Sequence, residues 1–271
     1  MLSILNSISS LTAENALSST QTSLQKTLTE LSTGLKINSG ADDAAGLSIA
    51  NGLQANISAL TQSSQNASDG VGLLQTADGA LSQVTTLLDR AVTLATEAST
   101  GGLSTSQATA LDTEYQSILT EIGSIGSTTN YNGTAIFGTT ASVYTSDGTS
   151  AGSATISTAI SSLTTTGLAL NGTALTSVGS AQTALADISA AISTIAANRG
   201  AVGAAVNRLN ADTNVENTEV TNLTAAQNNV QNADIGQTVS QMTQFNVLEQ
   251  TGMAALSQSN SVQSAVLKLL Q

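Results

Sequence analysis

Apolar side chains recur along this chain at alternating steps of three and four residues, on both sides of a glycine-rich middle. Leu24, Leu28, Leu31 and Leu35 step by four, three and four. After Asp69-Gly70 a second run takes over at Leu74, Ala77, Leu81, Val84, Leu88, Ala91, Ala95 and Ala98, until Gly101-Gly102 stops it. A third follows at Leu111, Tyr115, Ile118, Ile122 and Ile125. The longest seam is Val178, Ala181, Leu185, Ile188, Ile192, Ile195, Arg199, Val202, Val206 and Leu209, interrupted only by Arg199. Its phase continues more weakly through Val220, Leu223 and Val230. Such spacing puts each run on one helical face, and a period near 3.5 sustained this far suits helices that wrap around partners. The pattern predicts a mainly α fold: a long-helix coiled-coil bundle made by amino- and carboxy-terminal arms folded back together.

Between residues 127 and 177 the pattern changes. Gly, Ser and Thr are dense, and Asn132-Gly133, Asp147-Gly148 and Asn171-Gly172 are turn signals of the kind that close hairpins. Ala135-Ile136-Phe137 and Ser142-Val143-Tyr144-Thr145 are short and strand-like. These features predict a small β-hairpin region at the far end of the helical hairpin. The Ser and Thr cluster at 138–166 reads as plain loop.

The chain ends pose a burial problem. The first 35 residues and the last 40 or so carry apolar residues but few charges, and the tail closes on Val262, Val266, Leu267, Leu269 and Leu270. Full burial of one such side chain is worth roughly 1.5–3 kcal/mol, yet a lone thin helix cannot enclose its own stripe. The ends are therefore expected to be disordered in a monomer and completed by each other and by neighbouring copies. Leu24, Leu28, Leu31 and Leu35 at one end, with Val262, Val266, Leu269 and Leu270 at the other, are the candidate self-assembly residues.

Composition removes much chemistry. There is no Cys, His, Pro or Trp, and the aromatics are three Tyr and two Phe. Without His or Cys there is no Ser-His-Asp triad, no thiol nucleophile and no zinc finger. Few aromatics mean that burial must come from aliphatic stripes. A net charge of −12 with six scattered basic residues, Lys26, Lys36, Arg90, Arg199, Arg208 and Lys268, argues against nucleic acid as a partner. A carboxylate enzyme would have 18 acidic residues to draw on, but they are dispersed. No catalysis, cofactor or metal is expected. The start, MLSILNSISSLTAEN, lacks the basic and unbroken apolar regions of a cleaved signal peptide. No window approaches the roughly 18 apolar residues of a membrane span, so no membrane insertion is expected.

The segment LSTGLKINSGADDAAGLSIA, Leu31 to Ala50, resembles the amino-terminal signature of bacterial flagellins. Further matches follow in order: Ile57 to Leu81, then Asn130-Tyr131-Asn132-Gly133, then Arg199-Gly200-Ala201-Val202-Gly203-Ala204, and the tail from Ala233 to Gln271. The resemblance implies a structural subunit that is secreted and polymerises into the flagellar filament, in a short form with a minimal middle. It implies inner-tube helices at 1–40 and 231–271, an outer-tube bundle at 41–129 and 178–230, and a β-rich variable region at 130–177. The implied partners are other copies of the chain, the flagellar export apparatus with its chaperone, and the filament cap and hook-junction proteins. A hook–filament junction protein would share the terminal pattern and is the nearest alternative. A generic coiled-coil stalk would explain the heptads but not Leu31 to Ala50.

Four local features remain. Asp42-Asp43 is no catalytic dyad, because consecutive helical residues diverge; Ser39 and Asp42 ahead of Ala44-Ala45 resemble a helix start. Gly34, Gly40 and Gly46 mark a passage between inner and outer segments. Arg199 either pairs with an acidic residue or lies on the stripe's edge with its head in water. Arg90, Leu94 and Glu114 match, through the resemblance, positions at which a vertebrate Toll-like receptor recognises flagellins, although Val92 and Thr93 depart from the strongly recognised pattern.

Overall fold

The computed structural model describes residues 8–149 and 153–269. In chain order these form helices α1 (Ile8–Thr33), α2 (Ala44–Ala98) and α3 (Thr105–Thr128). Strands β1 (Asn130–Tyr131), β2 (Thr134–Ala135), β3 (Thr139–Ser146) and β4 (Ser153–Ile160) follow, then helices α4 (Val178–Gln231) and α5 (Ile235–Leu269). The chain divides into two compact units, one taking in residues up to Ala55 and from Asn222 onward, the other Asn56–Thr221. The mainly α prediction holds, with β structure confined to two antiparallel hairpins among the described residues.

Helix starts are set by side chains that satisfy the free amides of the first turn. Asp43 Oδ1 accepts the N–H groups of Ala45 and Gly46 at 3.0 Å, so Asp43, rather than the expected Ser39, caps α2. Ser104 and Gln107 form a reciprocal capping box at α3. Ser177 Oγ accepts Ser180 N–H at 3.2 Å before α4, and Asp234 Oδ1 accepts Gln237 N–H at 3.2 Å before α5. Losing one such cap costs about 1 kcal/mol.

In the unit Asn56–Thr221 the predicted stripe of α2 is realised in full, for every member from Leu74 to Ala98 is buried. Helix α2 does not restart at Asp69-Gly70 but runs through it. Gly70 is there for a close approach: a Cβ at this position would collide with Val143 of β3. Helix α3 adds Tyr115, Ile118 and Ile122 to the same core, and α4 adds Ile188, Ile195, Val202 and Leu209 together with Ala181, Ala184, Ala191 and Ala205. Val178, the expected first member of the α4 seam, is exposed instead.

The middle region departs from its expected placement. Asn132-Gly133 closes β1–β2 as a two-residue loop with φ of 50° and 77°, the left-handed pair such a turn demands. The strand-like Ser142-Val143-Tyr144-Thr145 lies within β3, and the cluster read as plain loop supplies the rest of β3 and β4, paired from Thr139↔Ile160 to Ser146↔Ser153. This hairpin lies back along the helices rather than beyond their end. Asn66 donates to the Tyr144 carbonyl at 3.4 Å, and Ser161 Oγ donates to Asn198 at 3.0 Å. Asn171-Gly172 makes a turn without strands, in a segment that buries Leu163, Leu168, Leu170 and Leu175.

Candidate functional site

In the other unit α1 and α5 pair antiparallel. Ser10 Oγ and Ser259 Oγ are 2.8 Å apart, Gln21 donates to Glu249 at 3.3 Å, and Leu17 packs beside Gly252. The turn after α1 is stitched to the break between α4 and α5. Lys36 N–H donates to the Gln231 carbonyl at 2.8 Å, Ala233 N–H donates to the Gly34 carbonyl at 2.9 Å, and Leu35 bridges Asn232. A small cavity of about 310 Å³ at this junction is lined by Glu30, Lys36, Asp234, Gln237 and Thr238 among others. Lys26 Nζ lies 2.9 Å from Asp42 Oδ1. That hydrogen bond, then those from Ser39 and the Asn38 amide, hold the Asp42 carboxyl down to about 2. The Gly34 to Gly46 passage is thus a hydrogen-bonded turn.

Two helices bury only the stripe between them, and that shows in the candidate assembly residues whose side chains are described. Leu24, Leu31 and Leu35 are half-buried, whereas Leu28 is 46% exposed and Val262 54% exposed. The Val266 and Leu269 side chains and all of Leu270 lie outside the described residues. The run of four leucines is therefore split, with Leu28 facing away from α5. Sequence reasoning missed most of the exposed apolar surface. Ile8 (77% exposed) and Leu11 on α1, with Ile235, Val239, Val247, Leu248 and Met253 on α5, all present large side chains to solvent. Their signal was weak because Gln, Ser and Thr separate them. Within this unit the described buried residues are only Thr27, Ile37, Gly46, Ala50 and Thr238.

Arg90, Leu94 and Glu114 behave differently from one another. Arg90 and Glu114 are exposed and paired, Nη2 to Oε1 at 2.7 Å, with Nε donating to the same oxygen at 2.8 Å. Each strengthens the other's charge, so the Glu114 carboxyl is lowered and the Arg90 guanidinium raised. Leu94 is fully buried in the α2 core and presents nothing to a partner. Of these three positions only Arg90 and Glu114 are exposed. Arg199 takes the pairing option, its Nε donating to Asp78 Oδ1 at 2.8 Å and its Nη2 to Oδ2 at 3.3 Å. The pair bridges α4 and α2 at the edge of the seam, with both side chains partly in water.

A closed helical core in one unit and a thin antiparallel helix pair with large apolar side chains left outside in the other define a self-assembling structural subunit. Residues 4–142 match the model of the bacterial flagellin N-terminal helical region, and residues 185–270 that of the C-terminal helical region. A flagellin of Halalkalibacterium halodurans is 32% identical over 250 residues, spanning 91% of this chain and 92% of that one. A flagellin of Serratia marcescens is 42% identical over 137 residues, covering 50% of this chain and 39% of its own length. The crystal structure of Bacillus cereus flagellin aligns with a TM-score of 0.49 at 29% identity, covering 60% of this chain and 94% of that one. The chain belongs to the bacterial flagellin family, whose members are the structural subunits of the flagellar filament, and it is not an enzyme.

Proposed function

We propose that this flagellin builds its filament by completing, between copies, the apolar surface that α1 and α5 leave open, with residues 1–40 and 231–271 forming the inner tube. Residues 41–129 and 178–230 then form the outer tube, and 130–177 face outward. The observation that carries this reading is the row of large apolar side chains exposed on the helix pair: Ile8, Leu11, Leu28, Ile235, Val239, Val247, Leu248, Met253 and Val262. Burying their exposed parts against neighbours is worth on the order of 10 kcal/mol per subunit. That is enough to offset much of the ordering cost of association. A polymer realises this gain at every copy, whereas a monomer cannot.

The same reading supplies a route. The subunit leaves the cell through the flagellar export apparatus, attended by its chaperone. It adds beneath a filament cap to a filament rooted in hook-junction proteins. Helix pairing of α1 with α5 is completed as the subunit enters the growing tube. Recognition by a vertebrate Toll-like receptor rests on Arg90 and Glu114, the accessible members of the matched positions. The deciding experiment is electron microscopy of purified chain added to short filament seeds, with and without residues 262–271. Elongation by the full chain and none by the truncated one is the expected result. Elongation by both at equal rates would remove the terminal helices from the assembly surface.

A further inference from the structure

Helix α4 carries a buried carboxyl group. Glu216 is only 4% exposed. Its Oε1 accepts a hydrogen bond from Ser63 Oγ of α2, and Ser63 Oγ in turn accepts the backbone N–H of Ser146, the last residue of β3, at 2.9 Å. One buried hydroxyl thus joins two helices and the end of the hairpin. The second oxygen of Glu216, Oε2, is enclosed without a partner, and so is Oδ2 of Asp212, one turn earlier on α4. An enclosed carboxylate oxygen with no donor forfeits its hydration and receives nothing in exchange.

The surrounding charges do not relieve this. On α4 itself Asp212 and Glu219 are both acidic, and Arg208, a further turn back from Asp212, is exposed and makes no ion pair among the described residues. Helix α2 contributes the neutral hydroxyl of Ser63. The titratable group nearest the β3 end, Asp147, accepts the Thr149 N–H at 2.7 Å and the Thr149 hydroxyl at 2.8 Å. Burial first, then the Asp212 and Glu219 charges, push the Glu216 carboxyl up, against the opposing pull of the Ser63 hydrogen bond. A proton on Glu216 shared with Asp212 gives one orphaned oxygen a donor to carry and the other a hydrogen bond to accept.

We propose that Glu216 is a proton-operated latch on the β3–β4 hairpin. Protonated and bridged to Asp212, it keeps Ser63 in place, and Ser63 pins the Ser146 amide. Deprotonated, it is one of two like charges a turn apart, moves toward water and lets the end of β3 go. Because the folded-state pKa is raised, the latch is closed below the ordinary glutamate range and opens as pH rises through the raised value.

The test is a carbon-13 titration of the Glu216 carboxyl in the full-length monomer from about pH 4 to 8, with hydrogen exchange at Ser146 followed in parallel. The midpoint should lie above the ordinary 4.5. Exchange at Ser146, corrected for its intrinsic pH dependence, should rise about tenfold for each pKa unit separating the latched from the open form. Glu216→Gln, which cannot ionise, should hold Ser146 protected at every pH. Ser63→Ala should unprotect it at every pH and move the Glu216 midpoint further up. The proposal is overturned by a midpoint at or below 4.5, by wild-type pH dependence in Glu216→Gln, or by unchanged Ser146 protection in Ser63→Ala. A midpoint that falls when sodium, magnesium or calcium is added would also overturn it, since a bound cation would then occupy the place given to the proton. The wild-type titration decides the matter even if a variant fails to fold.

Discussion

An alanine at position 70 separates two opposing effects that usually travel together. In a helix interior Gly costs about 1 kcal/mol relative to Ala, so Gly70→Ala in the middle of α2 should stabilise the chain on propensity alone. The structure leaves no room for the methyl. A Cβ there runs into Val143 Cγ2 and comes within 3.3 Å of Leu209 Cδ1. Neither neighbour yields easily: Leu209 is fully buried, and Val143 is fixed opposite Ile156 in the β3–β4 ladder. Forcing extra volume into a closed core costs about 1–3 kcal/mol, which outweighs the propensity gain, so Gly70→Ala destabilises by up to about 2 kcal/mol.

The remedy identifies the cause. Val143→Ala removes the methyl that blocks the site and leaves Val143 Cβ at 3.5 Å, an ordinary contact. In that background only the 3.3 Å approach to Leu209 Cδ1 remains, so Gly70→Ala should stabilise, by up to about 1 kcal/mol. The double-mutant cycle therefore closes with a favourable coupling of about 1–3 kcal/mol. Urea unfolding of the monomer, followed by far-ultraviolet circular dichroism, measures all four corners. Equal stabilisation by Gly70→Ala in both backgrounds would mean that the hairpin does not rest on α2 at this point.

Other perturbations address single features. Leu81→Ala, at a fully buried position of the α2 stripe, should cost about 2–5 kcal/mol in the same unfolding assay, and a change below about 1 kcal/mol would deny it a core role. Val247→Ser combined with Leu248→Ser, both exposed in the single chain, should leave monomer unfolding unchanged yet abolish seeded elongation; normal filaments from this variant would contradict the proposed surface. The Asp42 carboxyl, held at about 2, contributes above its ordinary 3.8 and loses that contribution as pH falls through 2. Exchange at the Asn38 and Ser39 amides, which donate to it at 3.2 and 3.0 Å, should therefore accelerate between about pH 4 and pH 1 beyond the intrinsic change; flat protection there would show that Asp42 does not hold the turn.

How much of this could be read along the chain depends on how many neighbours an element has. The α2 stripe was fully legible, because one face meets one continuous core and each expected position is buried. Helix α4 was legible in type but less so in phase. Its buried face recruits Ala184, Ala191 and Ala205, while Leu185, Ile192 and Val206 are half-buried. A reading ranked by hydrophobicity favours large side chains, whereas close helix approach favours small ones. Of the β3–β4 hairpin only Ser142–Thr145 was legible as a strand; β4 was not, because Ser and Thr alternate too weakly to mark two faces, and the hairpin's position depends on distant partners such as Ser63 and Asn66. Glu216 gave no signal at all, sitting in a polar stretch that reads as solvated until α2 covers it.

The assembly surface was legible only as a deficit. Leucines at heptad steps in a thin terminal helix show that partners are needed, but not which side chains the first partner consumes. Pairing α1 with α5 uses one stripe, turns Leu24, Leu31 and Leu35 partly inward, and leaves Leu28 outside with residues that no heptad reading picked out, such as Val247 and Met253. The remaining surface is therefore a product of the first packing step and could not be read before it. The consequence for energetics is specific. Stability of the Asn56–Thr221 unit resides in a core that one chain closes, so core substitutions there register in a monomer. The helix pair closes almost nothing by itself, so substitutions on its outer face register only when other copies are present.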